Sequence, residues 1–408
     1  QLAFIEEGAV QCGFCTAGML MTAMALLDRN PNPSRDDVIS AFTEGRNLCR
    51  CTGYVSIVRA VLKAAEIIRG GGAGGEPSAD RVDTPRLKKD SIGYVTGSIR
   101  YSDDLSPENM LHGSIRWADH PHAEILSINT ERALKVPEVA RIITAADVPG
   151  ENRAGLMILD TPAVAEDKVR FTGDPVAAVF AETAAAAAEA AALIDVDYRV
   201  LPAVFSPEEA AAKGAPKVHE GGNLFHEAEI VRGNAEGALK TADVVIDRTF
   251  TTQRIEQGVM EPESGLGIPD DDGGITIKMG TQCAFDDRSQ LARILALPEE
   301  KIRVIQMPMG GAFGAKEDIL IYQFLGLGAL LCRRPVKITL SREESLRTHQ
   351  KRHPAKMHYR VGAGSDGRLR AVSADIIMDG GPILTSALTC WRMLWFLPAD
   401  PILSRRSG

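Results

Sequence analysis

Four cysteines set in two short pairs constrain this chain more than any other feature. Cys12-Gly-Phe-Cys15 is followed, 34 positions after Cys15, by Cys49-Arg-Cys51, whereas Cys283, Cys332 and Cys390 are scattered. Short spacing lets one backbone turn aim two sulfurs at a common centre, and soft thiolates select zinc or iron–sulfur clusters over magnesium or calcium. Both pairs sit just before predicted helices, whose free N–H groups offset the negative charge of thiolate ligands. On spacing alone a structural zinc site and an iron–sulfur cluster both stay open. A disulfide framework fits poorly. Seven cysteines in 408 residues are too sparse for a stapled secreted scaffold, and the first line shows no signal-peptide pattern. Gln1 is not a start residue, so the chain reads as clipped at its front.

The chain is long enough for two or three domains, and with 45% apolar and 25% charged residues it is not a largely disordered one. No apolar run reaches the roughly 18 residues a bilayer crossing needs. Forty-six basic against 54 acidic side chains leave a net charge of −8, which gives no field for holding nucleic acid by counterion release. The expectation is a cytoplasmic chain with a small-molecule substrate, no nucleic acid and no membrane.

Residues 1–69 read as a small helical domain. Met19, Leu20, Ala23, Met24 and Leu27 fall at helical spacing. Ser34 with Asp37 forms a capping-box pattern, and a third stripe runs from Ile57 to Ile68 behind Gly53. Residues 70–84, opening GGGAGGEP, read as a glycine-rich linker. Residues 85–202 mix strands, such as Leu111 to Trp117 and Pro175 to Ala181, with an alanine-rich helix capped by Thr183, giving an α+β unit. A connection over 203–225 leads to a third region, 226–408, with strands at Asp243 to Thr251, Gly274 to Met279 and Ile302 to Met307.

Within that third region Met309-Gly-Gly-Ala-Phe-Gly-Ala-Lys-Glu317 lies between a predicted strand and a helix placed at Ile319 to Cys332. Missing Cβ atoms let such a turn approach a ligand closely and present N–H groups to it. It is not a P-loop, because only three residues separate Gly310 from Gly314 and no Gly-Lys-Ser/Thr follows. Its plain alternative is a tight turn, with Glu317 an exposed glutamate in the first turn of the helix.

Gln11-Cys-Gly-Phe-Cys-Thr-Ala-Gly-Met19 and Asn47-Leu-Cys-Arg-Cys-Thr-Gly-Tyr54 closely resemble the helical iron–sulfur domain of the molybdenum hydroxylases, the xanthine dehydrogenases and aldehyde oxidoreductases. Tyr94 to Asp104, Ile115 to Ile128 and Gly173-Asp-Pro-Val176 are similar to the family's small hammerhead domain, and Gln257-Gly-Val-Met-Glu-Pro-Glu263 to the start of its first cofactor-binding domain. The resemblance implies a multidomain chain: an all-α 2Fe-2S bundle, an α+β hammerhead domain, and the first part of an α+β molybdopterin-binding domain. Cys12, Cys15, Cys49 and Cys51 would then bind the 2Fe-2S cluster, and Gln11 would approach the pterin of the molybdenum cofactor, whose nucleotide form is unknown. Phe313 and Gly314 would pack beside the metal. Gln282 matches a family glutamine that donates to the metal's oxygen ligand, and Glu317 a glutamate that contacts the heterocycle in purine-oxidising members.

The implied activity is hydroxylation of an sp2 carbon beside nitrogen, most simply in a purine, with electrons leaving through the cluster to a flavin subunit or another acceptor. No FAD domain is recognised in the chain, and a homodimer is compatible with the family. An aldehyde oxidoreductase is the alternative within the family, and a non-catalytic electron-transfer or zinc-stabilised binding module the alternative outside it. Gln257 stands where many relatives have His, and the pattern fades after Asp379-Gly-Gly-Pro382. That ending reads as truncation or a reading-frame error. The general base would lie beyond it, so the 408-residue chain alone is expected to be inactive.

Overall fold

The computed structural model describes residues 1–71, 88–155 and 158–383. Most of the glycine-rich segment read as a linker therefore lies outside the described residues, as do Cys390 and the tryptophans after it.

Helical periodicity builds the front of the chain as α1 (Leu2–Glu6), α2 (Thr16–Arg29), α3 (Arg35–Glu44) and α4 (Tyr54–Ile68). Steps of three and four residues bring Thr16, Met19, Ala23 and Leu26 of α2 to one buried face. Met24, read from the sequence as part of that stripe, is one residue off the face and 58% exposed. Ser34 caps α3 as expected, its Oγ accepting from the Asp37 N–H while Asp37 accepts from the Ser34 N–H. Ile57, Val58 and Val61 of α4 complete the core with Phe4, Val38 and Phe42, joined by Tyr94 and Val95 from the short α5 (Ser91–Thr96).

The rest of the chain runs β1 (Leu111–Trp117), β2 (Ala123–Asn129), β3 (Val139–Ile143), β4 (Lys168–Val169), β5 (Pro175–Ala181), α6 (Ala184–Ala192), β6 (Asp195–Val200), α7 (Pro207–Ala211), α8 (Ala235–Lys240) and β7 (Val244–Thr252). It continues with β8 (Ser264–Pro269), β9 (Ile275–Met279), α9 (Ala284–Leu295), β10 (Ile302–Gln306), α10 (Tyr322–Cys332), β11 (Val336–Thr339), α11 (Arg342–Thr348), β12 (Ala355–Ala363) and β13 (Leu369–Met378). A seven-stranded sheet in the order β10-β9-β8-β11-β1-β5-β3 forms the main layer, with two three-stranded sheets, β4-β2-β6 and β13-β12-β7. The main sheet runs across both regions that the sequence reading separates, because β1 pairs parallel with β11 at Leu111 and Val336. Its core packs under α9 and α10, where Leu291, Ile294, Phe324 and Leu325 meet Ile275, Ile277 and Val336. From Tyr322 to Ala329 every residue of α10 is buried, as expected of a helix apolar on all sides.

Strand direction places the site. β9 and β10 are parallel neighbours, with Gln306 opposite Met279, so the loops leaving their C-terminal ends lie side by side. β8 is antiparallel to β9, with Gly265 opposite Met279, so the segment entering β8 arrives at the same end. Residues just before 264, just after 279 and just after 306 therefore meet at one edge of the sheet.

The helix expected from Ile319 starts instead at Tyr322, so Glu317 is not in its first turn. The reason is local. The Lys316 N–H is directed at the Gln282 Oε1 (3.4 Å), and the Lys316 carbonyl accepts from the Gln282 N–H (2.9 Å). These backbone groups are committed to another loop and cannot begin a helix.

Candidate functional site

The cysteine pairs come first. Cys15 stands at the N-cap of α2, and Cys49 and Cys51 lie in the turn before Gly53, the N-cap of α4. The four thiols lie close enough to raise or lower one another's titration, Cys12 acting most strongly with Cys51 and Cys15 with Cys49. Among the described residues no group of three or more His, Cys, Asp or Glu side chains is gathered to hold a metal ion. The interaction with Cys15 and, against burial, the backbone N–H groups of Gly53, Cys51 and Thr52 bring the Cys49 thiol down to about 6. Burial pushes Cys12 up to about 12, although the Phe14 N–H works against it. Cys15 is also pushed up, first by its bond to Cys49 and then by burial. A turn that aims three N–H groups at one sulfur is built for negative charge, which fits thiolate ligation.

The second half of the site is the glycine turn after β10. Gln282, in the loop after β9, accepts from the Gly314 N–H (3.1 Å) as well as from that of Lys316. Both protein donors are spent on its oxygen, and its amide NH2 is left to donate elsewhere. Phe313 has φ 55° and Gly314 φ 90°. A non-glycine residue at positive φ persists only where its surroundings hold it. Here the flanking contacts to Gln282 do so, and the Phe313 ring is left 50% exposed. Glu317 is half-buried. It lies close enough to Cys283 that its charge adds to burial in pushing that thiol up to about 11.

The two halves touch. A Cβ built on Gly310 would fall 2.4 Å from the ring of Phe14, the residue between Cys12 and Cys15 in the first pair, so only glycine permits this approach. Phe14 packs edge-on to Tyr101 with ring centroids 5.3 Å apart, and the Tyr101 hydroxyl donates to the Cys12 carbonyl at 3.3 Å. Arg50, between the other two cysteines, donates to the carbonyls of Gln257 and Glu256. The loop between Cys12 and Cys15 thus touches the glycine turn through Phe14, and Arg50 ties the second cysteine pair to the Glu256–Gln257 segment. Gln11 stays on the cysteine side, its side chain beside Gly53 and its carbonyl accepting from Lys88 Nζ at 2.8 Å.

Several residues at this junction carried no role in the sequence reading. Glu261 and Lys316 form a buried ion pair at 2.8 Å across 55 positions of sequence. Thr281 donates to the buried Asp287 at 2.5 Å while accepting from the Cys283 N–H at 3.0 Å, which fixes the loop that carries Gln282. Glu261 sits inside the Gln257-to-Glu263 string that carries the family resemblance, which is a partial signal. Nothing local pairs it with Lys316.

The chain matches the 2Fe-2S binding domain family over residues 1–62, the a/b hammerhead domain of aldehyde oxidase and xanthine dehydrogenase over 96–202, and the molybdopterin cofactor-binding domain over 218–399. It is 43% identical over 300 residues to a probable xanthine dehydrogenase subunit of Bacillus subtilis, covering 74% of this chain and 40% of that protein. It is 35% identical over 296 residues to the nicotinate dehydrogenase large molybdopterin subunit of Eubacterium barkeri, covering 72% of this chain and 70% of that one. The structure of the aldehyde oxidoreductase from Desulfovibrio gigas superposes with a TM-score of 0.89 at 32% identity, over 92% of this chain and 44% of that chain. The chain therefore spans less than half the length of the Bacillus and Desulfovibrio proteins.

Proposed function

Because the chain belongs to the molybdenum hydroxylases and carries their 2Fe-2S and molybdopterin cofactor-binding domains, we propose that the protein it comes from hydroxylates purine-type heterocycles. The observation that carries this reading is the packing of Phe14 on Gly310, which brings the Cys12–Cys15 loop against the glycine turn. The molybdenum cofactor, when bound, supplies the oxygen insertion and two-electron redox chemistry.

The chain's own residues bind, orient and exclude. In this reading residues 1–69 form the all-α cluster-binding domain, residues 85–202 the hammerhead domain and residues 226–408 part of the cofactor domain. Cys12, Cys15, Cys49 and Cys51 hold the 2Fe-2S cluster. The free amide NH2 of Gln282 donates toward the cofactor, its orientation fixed by the Gly314 and Lys316 N–H groups. Gly314 lets the backbone come close, and the half-exposed Phe313 ring walls off water beside it. Gln11 contributes from the cysteine side, against the pterin. Glu317, which the turn leaves clear of the helix, orients the heterocycle through its ring nitrogens. A cluster bound there would offer electrons an exit to a flavin subunit or another acceptor.

A second reading, an aldehyde oxidoreductase, is favoured by the close structural match to a protein of that activity. One experiment separates the two: turnover of hypoxanthine, xanthine and benzaldehyde by the full-length protein. Purine turnover is expected, with Glu317→Ala lowering kcat/KM at least about tenfold, the effect of roughly 1.4 kcal/mol. Turnover of the aldehyde alone would give the second reading its place.

A further inference from the structure

Under the glycine turn lies an ion pair for which the proposed cofactor and substrate contacts have no use. Lys316 Nζ is 2.8 Å from Glu261 Oε2, and the two side chains are 2% and 4% exposed. Charges withdrawn from water this completely are kept only when each is the other's partner. Glu261 has further duties. Its Oε2 also accepts from the Gly310 N–H at 2.7 Å, and its own N–H is directed at the Gly310 carbonyl at 3.4 Å. Gly310 is therefore held from both backbone sides by one residue.

On either side of the pair stands a different half of the site. Lys316 brackets Gln282 with its main chain, N–H to side-chain oxygen and carbonyl to backbone N–H. Gly310 is wedged between Glu261 and Phe14, since a Cβ there would be 2.5 Å from the Glu261 Cβ and 2.4 Å from the Phe14 ring. Phe14 in turn packs on Tyr101, which holds the Cys12 carbonyl. An unbroken run of contacts thus leads from Gln282 through Lys316, Glu261, Gly310 and Phe14 to the first cysteine pair. An apolar pair could fill the same volume, but it would leave the Gly310 N–H without an acceptor.

We propose that the Lys316–Glu261 pair is a positioning element shared by both redox sites, setting Gln282 on one side and the Cys12–Cys15 loop on the other. The inference rests on the reading of the two cofactors given above. It differs from a merely structural anchor in one respect, which is that the cluster also responds when the pair is neutralised.

The test uses the full-length, cofactor-loaded protein as wild type, Glu261→Gln and Lys316→Met, with electron paramagnetic resonance of the reduced cluster and of the molybdenum read separately. The expected result is a shift of both signals in each variant at unchanged iron and molybdenum content. A folded, fully loaded variant whose cluster signal coincides with wild type overturns the proposal, and so does a shift at one centre only. Should the single variants fail to fold for want of a partner charge, Glu261→Met combined with Lys316→Met removes both charges and gives the same readout. If that protein also fails to fold, the pair is a folding element and the proposal is overturned. Wild-type protein without iron and molybdenum would count against the functional reading itself. Loaded wild type beside unshifted variants counts against this inference alone.

Discussion

A carboxyl group shut away from water with one partner titrates late. Asp287 is fully buried, with one oxygen accepting from Thr281 at 2.5 Å and the other without a hydrogen-bond partner. Burial, resisted by the Thr281 hydroxyl and reinforced by Asp286 and Asp318, pushes it from 3.8 up to about 7. Between those values the folded chain keeps a proton that the unfolded chain has released. This contribution to stability is complete below pH 3.8 and is lost as pH rises through about 7. Asp287→Asn should flatten that fall, which denaturation midpoints from pH 4 to 8 would measure. An unchanged slope would show that the carboxyl is ionised in the fold. The nest of N–H groups around Cys49 supports a second expectation. Cys49→Ser offers those donors a neutral hydroxyl in place of a thiolate, so the purified protein should lose most of its iron and acid-labile sulfide while keeping its helical circular dichroism. Iron retained at the wild-type level would remove Cys49 from the ligand set.

Elements with their own local signals could be read before any fold was known. α3 announces itself through Ser34 and Asp37, α6 through Thr183 and its alanines, and α4 through an apolar stripe, and all three lie where that chemistry puts them. β8 could not be read this way. Its Gly265 and Gly267 are poor strand formers, and they are needed because α10 lies directly on the strand. A Cβ on Gly267 would be 2.3 Å from the Leu325 carbonyl oxygen. The paired thiols and the glycine turn were also legible, because each is a continuous string. The Glu261–Lys316 pair was not, since its partners meet only after β8, β9 and β10 align at one end. Gly310 belongs to this scale, because it joins two elements. Gly310→Ala should force Phe14 off the turn and cost about 1–3 kcal/mol by overpacking, measured as a lower denaturation midpoint. A variant as stable as wild type would mean that the two loops are not in contact in solution.

At the scale of the whole molecule, the sheet carries the argument from fold to function. Two parallel strand ends and one antiparallel strand start deliver Gln282, the glycine turn and Glu261 to a single edge, and the helical front docks its cysteine loops there through Phe14 and Arg50. Redox centres held at these two touching loops, as proposed, would lie close enough for electrons to pass between them without any domain movement. Their unpaired spins would then interact. Low-temperature electron paramagnetic resonance of the partly reduced full-length protein measures this most directly. A molybdenum signal split by the reduced 2Fe-2S cluster is expected, with the splitting lost when the cluster is oxidised. Both centres present with an unsplit molybdenum signal would contradict it.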